Sequence, residues 1–192
     1  MRQNPIHKSV PVVLAGGLIL AGCSSGDENP EIRNAADVGS ASTTASESPY
    51  LVSVAERFPT CEAVGGTIAS YVDGLVLSSG STVDRTKVFC EWKAPEGESP
   101  AGIRSVEISI DPETVTSATA AKTGLVTIPD ERIEAVGGFA HSMPINMPGT
   151  AVTATGVELP RASVSITVSG RDTQVVLDPA GGVEVAKVLL GL

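Results

Sequence analysis

Residues 10–20 form an apolar run interrupted only by the small residues Pro11, Gly16 and Gly17, and the sequence turns polar abruptly after Cys23. This feature most limits the fold, because it fixes how much chain is left to build a core and where that core forms. At about 11 residues the run is short of the roughly 20 that a membrane span needs. Residues 1–8 carry Arg2 and Lys8 and no acid, and Leu20-Ala21-Gly22-Cys23 closes the run. A basic start, a short apolar centre and a small-residue exit are the parts of an export leader. Residues 1–22 are therefore expected to be a signal peptide and to contribute nothing to the folded domain.

The closing tetrapeptide resembles the bacterial lipobox: an aliphatic residue, two small residues, then cysteine. The resemblance implies diacylglycerol in thioether linkage to Cys23, followed by cleavage between Gly22 and Cys23. Two acyl chains hold a protein stably at a bilayer where one holds it only marginally. The expected location is the extracytoplasmic face of the cell membrane, reached by a lipid anchor. A single arginine before the apolar run speaks against twin-arginine export.

Removing residues 1–22 takes away Arg2 and Lys8 but no acid, so the formal charge moves from −9 to −11. Nucleic-acid binding needs a basic face and is disfavoured; the acidity serves solubility. With Cys23 assigned to lipid, Cys61 and Cys90 remain, an even number in an exported chain, which reads as a disulfide. Closing a loop of about 30 residues stabilises by roughly 3–4 kcal/mol in the loop-entropy account. Metal binding lacks support, since His141 is the one histidine after the leader and no CxxC pair is present. No cofactor is expected.

Residues 23–49 read as the lipidated cysteine and a disordered tether, rich in Ser, Thr, Asp and Glu, with Ile32 and Val38 as the only sizeable apolar side chains. Residues 50–192 are enough for a single domain. Thr60 is placed to cap a helix opening at Cys61, with Val64, Ile68 and Val72 on one face. Gly65-Gly66 within it implies either a break or close packing on a sheet. Residues 86–93 alternate as a strand, with Val88, Cys90 and Trp92 on one side, so the two cysteines are expected to meet across a helix–sheet interface. Val106, Ile108 and Ile110 mark another strand. Asp111-Pro112 reads as a helix start, with Val115, Ala118, Ala121 and Leu125 on its buried face, and Pro129-Asp130 as a turn. Further strands are expected over 150–157, 162–169 and 173–177, then a last helix over 183–190 after Asp178-Pro179. The fold class expected is α+β: an antiparallel sheet with helices packed on one face, in a single domain with one disulfide.

A cysteine at the first helix, Cys90-Glu91-Trp92 on a strand, Val136-Gly137-Gly138-Phe139-Ala140 in mid-chain and a terminal helix after a strand pair form a recognisable series. It resembles small actinobacterial cell-envelope lipoproteins of unknown function, whose domains are similar to the PsbP-like α+β fold. The resemblance covers about residues 55–190, with Gly138 standing where the pattern has an acid. It implies a fold and a location, and no activity.

Catalytic patterns are hard to find. His141 adjoins Ser142, but neighbouring residues seldom share productive geometry, and no GxSxG elbow is present. Acids fall mostly in the tether, in turns or at helix starts such as Asp111, Glu113 and Asp178, where they cap and solubilise; no catalytic residue is expected. Gly137-Gly138 lacks the Lys-Ser/Thr of a phosphate loop and reads as a turn. The feature with binding character is the alternation of Met143, Ile145 and Met147 between prolines, because methionine suits surfaces that accept varied apolar partners. The function expected is a non-catalytic binding or interaction module that meets an envelope protein or a small apolar ligand. A lipid carrier and a carboxylate hydrolase are the alternatives.

Overall fold

The computed structural model describes residues 47–97, 104–171 and 176–192. The leader, Cys23 and the tether up to residue 46 lie outside them, as do the 98–102 part of the Pro/Gly loop and most of the strand expected over 173–177. Val176 and Leu177 are described and belong to no strand.

The first helix among the described residues is one that sequence reasoning did not place, α1 (Pro49–Arg57), which buries Leu51 and Val54. Ser48 belongs to the fold rather than to a tether: it is buried, and its hydroxyl donates to the carbonyl of Arg161 at 2.6 Å. Thr60 caps α2 (Cys61–Gly65) by accepting from the N–H of Ala63. The expected helix is indeed broken here, continuing as a 3-10 turn (Gly66–Ile68) and α3 (Ala69–Val72). It also packs closely. A methyl on Gly65 would lie 2.9 Å from Cζ2 of Trp92, so only glycine lets the helix rest on the indole.

Among the described residues, eight strands form one antiparallel sheet: β1 (Val76–Leu77), β2 (Thr82–Val83), β3 (Val88–Lys93), β4 (Ser105–Asp111), β5 (Val126–Ile128), β6 (Phe139–Pro144), β7 (Thr150–Leu159) and β8 (Ala162–Arg171). Their order is β1-β3-β4-β8-β7-β6-β5, with β2 also paired to β3. The register aligns Val88, Ile110, Val164, Val157 and Ala140 across five strands on one face. That face carries the core, together with Cys90, Trp92, Val106, Ile108, Ile166 and Leu159. Helices α1 and α2 and the terminal α6 (Pro179–Leu190) cover it. Asp178 caps α6 through the N–H of Gly181, as its Asp-Pro sequence predicts. The fold is α+β with the antiparallel sheet and helix layer expected. The Cys61–Cys90 disulfide is formed where α2 meets β3, with Cα atoms 5.4 Å apart and both residues buried.

The segment after β4 departs from the sequence reading. Asp111 is the last residue of β4, paired with Ser163, rather than a helix cap. Residues 112–116 continue without helix, Thr116 caps α4 (Ser117–Lys122), and Ala120 is its buried residue. Asp130 does more than turn the chain: it caps a further short helix, α5 (Glu131–Ala135), whose Ile133 enters the core.

Candidate functional site

Alternation in β6, β7 and β8 sends every second residue away from the core. On that second face the register aligns Phe139 with Glu158 and Ser163, His141 with Gly156 and Ser165, and Met143 with Ala154 and Thr167. Glu158 is therefore a carboxylate on the face without the main helix layer, yet it is only 5% exposed. The chain between β4 and β5 buries it. Val115 and Leu125, from that strap, line a pocket together with His141, Met143, Gly156 and Glu158.

Three donors hold the carboxylate. The backbone N–H of Val115 donates to Oε2 at 3.1 Å. The Ser163 hydroxyl donates to Oε1 at 2.9 Å, and Nε2 of His141 approaches the same oxygen at 3.3 Å. The first bond explains the misread helix start: the Val115 N–H goes to a side chain of β7 instead of a helical carbonyl, residues 112–116 form no helix, and the helix is delayed to Ser117. The imidazole lies against Gly156 on the neighbouring strand, where a methyl group would overlap it. Phe139 adds a tilted ring contact, with centroids 5.7 Å apart.

Nε2 of His141 and Oε1 of Glu158 face each other as a hydrogen-bonded pair, which leaves the other ring nitrogen, Nδ1, to find its own partner. Nδ1 is buried and has no hydrogen-bond partner. The pocket beside it has a volume of about 210 Å³ and is walled mainly by apolar side chains.

His141 thus sits on a strand and is mostly buried. Ser142 points to the opposite face, aligned with Thr155, so the two neighbours cannot act on one substrate. Glu158 is the one carboxylate among the described residues that is buried, and the side chain paired with it is an imidazole, not a second acid. The structure separates the three residues singled out for binding. Met143 is half exposed and lines the Glu158–His141 pocket; Ile145 and Met147 line a shallower hollow of about 570 Å³ with Pro148 and Val152. Sequence reasoning missed Glu158 because it ended the strand at Val157, which left the acid in a turn. The available signal was an acid between Val157 and Leu159, five residues before Ser163, across a turn at Pro160.

No helix among the described residues is long and apolar enough to cross a membrane. No protein-family model matches the chain, and neither a curated protein nor a solved structure is similar to it at a significant level.

Proposed function

We propose that this chain is a cell-envelope lipoprotein, anchored through Cys23, whose domain is a non-catalytic binding module with its ligand site in the Glu158–His141 pocket. The observation that carries the binding site is a buried imidazole nitrogen without a partner, next to a carboxylate held by three groups, in a residue that lines an apolar hollow. Buried polar atoms without partners are few in folded proteins and call for an explanation, and an apolar pocket with a few fixed polar groups is the usual form of a small-molecule site. The leader pattern and the lipobox support the anchor. The buried Cys61–Cys90 disulfide supports an oxidising compartment. This location agrees with that of the actinobacterial lipoproteins the sequence resembles.

Two measurements test this reading. Mass spectrometry of the protein from membranes should find Cys23 as the first residue, carrying diacylglycerol. Cys23→Ala should release the domain from the membrane fraction. An intact Met1, or an unmodified sulfur on Cys23, refutes the anchor. For the site, ligand-observed NMR with a panel of single-ring compounds should detect binding that Met143→Ser weakens and that Ile145→Ser with Met147→Ser leaves unchanged. The reverse pattern would move the site to the other hollow.

A further inference from the structure

Residues 112–125 carry the chain from β4 to β5, and the sheet places β8, β7 and β6 between those two strands. The segment therefore crosses the second face as a strap over the candidate site. It is lightly held. Among the described residues, one hydrogen bond joins 112–124 to the sheet, from the Val115 N–H to Oε2 of Glu158 at 3.1 Å. The other hydrogen bonds of the strap stay inside it, around α4. Ala120 is its one buried residue, Leu125 is half-buried, and the rest are exposed. Both ends are set off from the strands. Pro112 has no N–H with which to continue the β4 ladder, and Gly124, at φ +77°, holds a backbone conformation that glycine takes without strain. What lies beneath is polar: the Glu158 carboxylate, with His141 and Ser163 bonded to it.

A segment with little buried apolar surface and few hydrogen bonds to the rest of a fold opens at low cost, without global unfolding. Resting on the reading of the Glu158–His141 pocket as the ligand site, we infer that residues 112–124 are its lid. The strap swings away from the sheet between Pro112 and Gly124, releases the Val115 N–H from Glu158, admits the ligand and brings Val115 back over it. Leu125 and Met143 are the fixed walls against which it closes. The Val115–Glu158 bond is the latch, and it gives the buried carboxylate its part: a fixed acceptor on the sheet for a backbone N–H of the moving segment.

The test is limited trypsin digestion of the full chain in mild detergent, because Lys122 is the one basic residue between Asp111 and Arg132 and lies in the strap. The cut after Lys122 is timed by mass spectrometry at several urea concentrations below the unfolding transition. Its rate should rise little with urea, since a local opening exposes little surface. Val115→Pro removes the donor of the latch and should speed the cut roughly five-fold, as expected for the loss of one hydrogen bond. Glu158→Met removes the acceptor and should act in the same direction. Val115 is exposed, so the test does not depend on the buried Glu158→Met variant folding. Toluene, the apolar probe, should slow the cut. A urea dependence as steep as that of global unfolding overturns the lid, because the strap then opens only with the whole domain. Equal rates in the native chain and Val115→Pro overturn it too, because α4 then frays without regard to the latch. Toluene that binds by NMR and leaves the cut unchanged shows that ligand enters by another way, and overturns it as well. If the latch variants behave as expected and toluene does not bind, the strap opens as inferred, and the reading of the pocket as a ligand site is what fails.

Discussion

The hydroxyl of Thr155 faces α6, where Gly182 approaches so closely that a methyl there would lie 2.6 Å from Oγ1, and it has no hydrogen-bond partner. Desolvating a hydroxyl without a compensating bond costs about 1–3 kcal/mol. Thr155→Val keeps the shape and the strand preference and removes the unpaired oxygen. It should raise the midpoint of urea unfolding, by an amount equivalent to about 1 kcal/mol; a fall in the midpoint would mean that the hydroxyl has a partner in solution. Gly156, next along β7, gives the opposite expectation. Gly156→Ala puts a methyl into the imidazole of His141, and overpacking of this kind costs about 1–3 kcal/mol. The variant should unfold at lower urea, and its His141 nitrogens should shift even without ligand.

Helices α5 and α6 are joined by one ion pair whose behaviour with pH can be worked out. The ammonium of Lys187 donates to Asp130 at 2.8 Å and to Glu184 at 2.6 Å. The Lys187 bond, followed by backbone N–H donors from Ile133 and Arg132, holds the Asp130 carboxyl below its ordinary range. Its bonds to Asp130 and Glu184 hold Lys187 above its own. The Asp130 contribution is complete above the unfolded-state value of about 3.9 and is lost as pH falls through the lower folded one; the Lys187 contribution is complete below about 10.4 and is lost as pH rises through the higher folded one. Asp130→Asn keeps a good cap for α5 and removes the charge. In urea titrations its stability should decline less than the native protein's below about pH 4, and an unchanged acid limb would show that the pair contributes nothing. Legibility in the sequence varies at this scale too. Thr60, Asp178 and the alternation in β3, β4 and β8 were readable because side-chain chemistry and periodicity agreed there. Strand β6 was obscured because its large residues, Phe139, His141 and Met143, face away from the core, while Ala140 lies inward against it. Asp111-Pro112 misled because strand pairing with Ser163 and the pull of Glu158 on Val115 outweighed a local helix signal. The candidate site was hidden for a related reason: Glu158, His141, Ser163 and Val115 converge only through registry between strands, which no local window of sequence contains.

Over the whole molecule, the disulfide bridges residues 29 apart in sequence and fastens the helix layer to the sheet. Cys61→Ser with Cys90→Ser should destabilise the domain by about 3–4 kcal/mol, measured by urea unfolding against the oxidised native chain. An equal midpoint would imply that the crosslink adds nothing to stability. The second long-range fastening joins the ends of the described chain. Arg57, at the close of α1, donates to the carbonyls of Val188 and Leu189 in the last turn of α6, and α1 contributes Leu51 and Val54 to the same core as Leu189 and Leu190. These contacts span 131 and 132 residues of sequence. Bringing such distant segments together costs loop-closure entropy before the contact returns anything, so α1 and α6 are expected to dock after the hairpins of the sheet, whose strands lie close along the chain.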